Sequence, residues 1–144
     1  MYNPGEVRDS EDLGLKVVQA HEMRALGFEE VTRVVKERVG DALAFFSFDV
    51  DFGDPAFAPG TGTPELEGFT SHEALSLVRS LAGLDFVAFD VVEVLPAYDP
   101  TQTTAHLAAQ VACEFASFVA VHRRAGSPCL AGLCARERDG GTST

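Results

Sequence analysis

The segment Leu43-Ala44-Phe45-Phe46-Ser47-Phe48-Asp49-Val50-Asp51 constrains the fold more than any other part of the chain. It opens with apolar residues in succession instead of alternation, the pattern of a strand buried on both faces of a parallel sheet. Its carboxyl end carries two aspartates, and residues two apart in an extended chain point to the same side. The next stretch, Phe52 to Phe69, turns to Gly, Pro and Thr and reads as one long, specific loop. Such loops inside compact domains are usually functional or disordered. The carboxyl end of an interior strand is also where open α/β sheets build their sites.

The flanking segments fit the same scheme. Leu15-Lys16-Val17-Val18 is a short run read as a first strand, and Phe28, Val31, Val34, Val35 and Val39 then share one face of a helix. Gly40-Asp41 ends that helix, with Lys36 and Arg38 placed where cations suit the dipole. Thr70-Ser71-His72-Glu73 matches a capping box. The helix it opens buries Leu75, Val78, Leu81 and Ala82, and Gly83 stops it. Asp85 to Val94 reads as another interior strand, and a last helix turns Leu107, Val111, Phe115, Phe118 and Val119 inward. The order β-α-β-α-β-α implies an α/β fold, a three-layer α/β/α arrangement around a parallel sheet. Residues 1–124 form this domain, and residues 125–144 read as a loosely attached extension.

Composition narrows the partners. A net charge of -11 argues against nucleic acid and against an anionic membrane surface, both of which call for clustered Lys and Arg. It suits a cationic ligand or a divalent metal. The first residues lack the apolar stretch of a signal peptide, and no apolar run reaches the roughly 18 residues of a membrane span. Cys113, Cys129 and Cys134 have no zinc-site spacing, so a reduced cytoplasmic protein is expected.

The aspartate pair carries the chemistry. Two carboxylates about 6 Å apart at an effective dielectric of about 20 repel by roughly 3 kcal/mol. A nearly buried pair therefore calls for protons or cations, and hard divalent ions accept oxygen donors of this kind. A solvated strand-to-loop turn fits the spacing equally well. An EF-hand does not, because Asp54 and Gly60 stand where that loop requires Gly and Glu. Asp54 reads as a residue that shapes the turn before Pro55. Gly60 and Gly62 read as backbone devices with access to positive φ. His21, His72, His106 and His122 read as structural or exposed.

Ser47-Phe48-Asp49-Val50-Asp51, Asp54-Pro55, Pro59-Gly60 and Gly62-Thr63-Pro64 together resemble the late signature of the ureohydrolases, the arginase and agmatinase family. The match extends upstream to Gly27-Phe28-Glu29-Glu30. Downstream it includes Phe89-Asp90-Val91-Val92-Glu93-Val94, Pro96, Tyr98-Asp99 and Thr104-Ala105-His106-Leu107-Ala108-Ala109. The resemblance implies a partial arginase-like fold, in which Asp49 and Asp51 ligate a pair of Mn2+ ions and Asp49 bridges them. It places Glu93 at the substrate guanidinium and Thr63 in the pocket wall. The implied reaction is hydrolysis of a guanidino compound, agmatine by preference, to urea and an amine, with a homo-oligomer as the implied assembly.

The resemblance covers the C-terminal portion of that family. Its Gly-Gly-Asp-His and Asp-Ala-His-x-Asp segments do not occur in this sequence, so four of six implied metal ligands are missing. Gly53 stands where a leucine is usual, and Glu67 replaces the first of two loop glycines. The chain is therefore expected to be an incomplete agmatinase-like piece, inactive alone and completed by a complementing N-terminal half. The alternatives are a non-catalytic binding or assembly module and a degenerate fragment of the same fold.

Overall fold

The computed structural model describes residues 9–10 and 12–124. Helix α1 (Ala20–Leu26) and helix α2 (Phe28–Val39) are separated by Gly27 at φ 79°, a left-handed angle that glycine adopts freely. Glu29 and Glu30 in the first turn of α2, and Lys36 and Arg38 in its last, complement the helix dipole. Strand β1 (Leu43–Asp49) runs into a 3-10 turn, Val50–Phe52. Helix α3 (Ser71–Ser80) begins with the expected capping box. The Glu73 N–H donates to Thr70 Oγ1 at 3.2 Å, and the Thr70 N–H donates to Glu73 Oε2 at 2.7 Å. Strand β2 (Asp85–Val92), a second 3-10 turn (Pro96–Tyr98) and helix α4 (Thr103–Arg124) complete the order.

The strands pair in parallel, from Leu43 opposite Asp85 to Asp49 opposite Val92, with α3 in the crossover between them. The register slips after Ala44, whose partner is Phe86, because Phe45 faces Ala88. That extra residue keeps both Phe86 and Phe89 turned toward the helices. On this face Phe115 of α4 is the centre of the core. Its ring lies 4.5 Å from Phe46, 5.1 Å from Phe89 and 5.2 Å from Phe86. Ala74 and Val78 of α3, Leu107 and Val111 of α4, and the edge of α2 through Val35 and Val39 close around it. The Arg79–Glu114 ion pair at 2.6 Å and a 2.6 Å bond between the Thr32 and Ser80 hydroxyls tie the helices together.

The other face departs from expectation. Leu43, Phe45 and Val87 remain 56%, 60% and 55% exposed, so β1 alternates between covered and open residues. Apolar residues on two faces are covered only where a layer exists for each, and the described helices cover one. The fold is α/β with a parallel sheet, and these residues supply the sheet and its helical layer on one side.

Three further expectations change. Leu15–Val18 is not a strand, since an extended run needs a partner ladder and the described sheet has two strands, β1 and β2. His21, which a Leu15–Val18 strand would place in a strand-to-helix connection, lies on α1. Ala82 is exposed beyond the end of α3, while Ala74 takes the buried place. Thr103–His122 of α4 is long and apolar enough to cross a membrane by length and composition, contrary to the expectation of no such span. Leu107, Val111 and Phe115 nonetheless make it a core helix of this fold. The expected extension at residues 125–144, with Cys129 and Cys134, lies outside the described residues.

Candidate functional site

Asp49 is the last residue of β1, but Asp51 is not in the strand. The chain coils into the 3-10 turn, so simple strand alternation does not bring the two together. The turn does so instead, because the Asp51 N–H donates to Asp49 Oδ1 at 3.0 Å. Half-burial pushes the Asp49 carboxyl above its ordinary 3.8, and the Asp51 amide partly opposes this. The negative charges of Asp51 and, more weakly, Glu93 push it further up.

Thr63 reaches the same place from the long loop, its hydroxyl donating to Asp51 Oδ2 at 3.0 Å. Glu93 follows β2 directly and stands at φ 62°, a left-handed angle uncommon for a residue with a side chain. A Cβ placed on Gly62 would lie 3.8 Å from Glu93 Oε2, so that carboxylate sits against the Gly62-Thr63 turn. Asp49, Asp51, Thr63 and Glu93 thus gather at the carboxyl end of both strands.

The loop is held by its own backbone. The Asp54 N–H donates to the Phe69 carbonyl at 3.0 Å, and the Phe69 N–H to the Phe52 carbonyl at 2.9 Å. Asp54 accepts from the Ala56 and Glu67 amides at 2.9 and 3.1 Å, so it shapes the loop as expected. Glycine matters here for a reason different from the expected one, since neither Gly60 nor Gly62 has positive φ. Gly60 is needed for space, because a Cβ there would fall 2.4 Å from Asp99 Cβ. Glu67 does take φ 63°, a left-handed bend at the position where the resemblance implies glycine.

Arg24 escaped the sequence reading. From α1 it donates to the carbonyls of Glu67 and Gly68, both at 2.8 Å, and its guanidinium lies 4.3 Å from the Phe69 ring centroid. No spacing pointed to it, because α1 itself was not anticipated. An open cavity of about 990 Å³, bordered by Arg24, Asp51, Phe52, Glu67 and Phe69, lies beside the acidic pair. His21 is exposed and borders this cavity, His72 and His106 are exposed, and His122 faces Asp85 at 3.3 Å.

The donors suit a hard divalent cation in kind, being carboxylates, and at Asp49 burial and neighbouring negative charge favour the protonated form. They do not suit one in number. Among the described residues no group of three His, Cys, Asp or Glu is arranged to hold a metal ion, and Glu93 acts on Asp49 through charge alone.

A sequence profile of the arginase family matches residues 1–117. The chain is 48% identical to the agmatinase of Escherichia coli O7:K1 over 103 residues, which are 72% of this chain and 34% of that enzyme. Among solved structures it is similar to a hypothetical agmatinase from Burkholderia thailandensis, with a TM-score of 0.76 and 40% identity over 88% of this chain and 38% of the other. It is also similar to proclavaminate amidino hydrolase from Streptomyces clavuligerus, with a TM-score of 0.74 and 40% identity over 78% and 37% of the two chains. The chain spans between about a quarter and a third of the length of the curated relatives it matches, 27% to 34%.

Proposed function

The chain belongs to the arginase family, and from that premise we propose that it forms one wall of a guanidino-compound amidinohydrolase site. The observation that carries this reading is the meeting of Asp49, Asp51, Thr63 and Glu93 at one end of the sheet. In this reading Asp49 and Asp51 hold part of a dimanganese centre, and the other donors come from polypeptide beyond these residues. When bound, such a metal pair supplies a water acidic enough to ionise at neutral pH.

The remaining roles belong to the chain's own side chains. The Thr63 hydroxyl holds one oxygen of Asp51 and leaves the other free to face a cation. The Glu93 carboxylate receives the N–H fork of the guanidinium, a charge-assisted contact that orients the carbon to be attacked. The agmatinase and amidino hydrolase names of the relatives support guanidino compounds as the substrate class, with urea and an amine as products. The chain's acidity, -11 overall, favours a cationic substrate such as agmatine.

Alone, the chain is expected to be inactive, because two carboxylates satisfy neither the coordination number nor the charge of the ions. The test is a chimaera in which residues 1–124 replace the matching stretch of the Escherichia coli agmatinase. Urea release from agmatine, lost in Asp49→Ala, is the expected result. A chimaera that folds and binds manganese but releases no urea contradicts the reading. A second reading, a non-catalytic assembly module, is favoured by the lack of a three-donor group among the described residues. Tight binding to an intact relative without any gain in turnover would select it.

A further inference from the structure

Thr104 lies on α4, a helix that carries none of the four site residues, and its side chain is fully buried. Its Oγ1 accepts the Gly60 N–H at 2.8 Å. The Gly60 carbonyl in turn accepts the Leu95 N–H, also at 2.8 Å. One residue therefore joins three segments: the start of α4, the loop that presents Thr63, and the exit from β2 on which Glu93 stands. Gly60 packs so closely against Asp99 that an added Cβ would meet Asp99 Cβ at 2.4 Å. Asp99 is itself buried, and it fixes the beginning of α4 by accepting the Ala105 N–H at 2.9 Å.

Glu93 makes this connection informative. Its left-handed backbone is a conformation that residues other than glycine keep only when their surroundings impose it. The Leu95–Gly60 bond, two residues downstream, is such a constraint. We propose that Thr104 is a positioning residue: through Gly60 it holds the Thr63 turn and the Glu93 backbone in register over Asp49 and Asp51. The inference rests on the reading of Thr63 and Glu93 as substrate-side residues, and it identifies what fixes them.

Two substitutions separate positioning from packing. Thr104→Val keeps the shape but leaves the Gly60 N–H buried without an acceptor, so the turn must swing outward to satisfy it. Thr104→Ser keeps the acceptor and loses a methyl group from a buried position. A positioning role makes valine the harmful change, whereas a packing role makes serine the harmful one.

The experiment is NMR on the full isotope-labelled chain, without metal or substrate. In Thr104→Val, amide exchange at Gly60 and Leu95 is expected to accelerate about tenfold more than at Val78 and Val111, a local opening distinct from global loss. The Glu93 Cα resonance is expected to leave its left-handed position in the same variant, and Thr104→Ser is expected to preserve both signals. Serine as disruptive as valine, or Leu95 and Glu93 unmoved in Thr104→Val, overturns the proposal. Should the valine variant fail to fold, denaturant-dependent exchange of the unaltered chain decides. Gly60 and Leu95 opening together before α4 supports the link, and independent opening overturns it. Because these signals are read without metal, a chimaera lacking turnover would remove the dimanganese reading and leave this result standing.

Discussion

The two faces of the β1–β2 sheet have similar composition and different fates. Phe46, Phe48, Phe86 and Phe89 meet helices and form an aromatic core around Phe115. Leu43, Phe45 and Val87, equally apolar, meet none and stay more than half exposed. Residue type alone therefore does not say which face is structural. What differs is the layer opposite, and cooperative stability comes from the face that has one. The acidic rim at the carboxyl end is held by polar contacts instead, Asp49 by the Asp51 amide and Asp51 by the Thr63 hydroxyl.

The sharpest way to break that contrast is Phe115→Ala. Removing the ring at the centre of the covered face is expected to cost about 3–5 kcal/mol, read as a fall in the urea midpoint. For a chain of this size such a loss approaches the whole stability. Thr70→Ala removes one half of the α3 capping box and is expected to cost about 1 kcal/mol in the same assay.

Asp49→Asn tests the rim with the opposite sign. The folded carboxyl binds its proton more tightly than the ordinary 3.8. Its stabilising contribution is therefore complete below that value and is lost as pH rises through the raised folded one. Above that window the crowded anion opposes folding. Metal-free Asp49→Asn is expected to melt higher than the unaltered chain at pH 7, with the difference vanishing below pH 3.8. The smallest effect belongs to the open face, where Phe45→Ser is expected to change stability by no more than about 0.5 kcal/mol. A loss near that of Phe115→Ala would show the face to be covered in solution.

What the sequence disclosed follows physical range. The capping box, the cation-rich end of α2 and the inward stripe of α4 depend on neighbours within a turn or two, and all appear as read. The proximity of Asp49 and Asp51 was legible too, although the turn that creates it was not, because apolar alternation does not register where a strand coils. Burial of β1 on both faces was misjudged, since a string of apolar residues records what a strand tolerates and not what lies above it. Arg24 and Thr104 were missed as organisers of the site loop. Each acts across a long sequence separation through a backbone amide or carbonyl, groups that every residue carries and no motif marks.

In the proposed reading the carboxylate rim is a partial donor set, completed by ligands from beyond these residues. Calorimetric titration of the metal-free chain with manganese, with Asp49→Ala and Asp51→Ala alongside, tests it most directly. The expected result is binding no tighter than roughly 1 mM, about 4 kcal/mol. Micromolar binding by this chain alone, abolished in either variant, would contradict it.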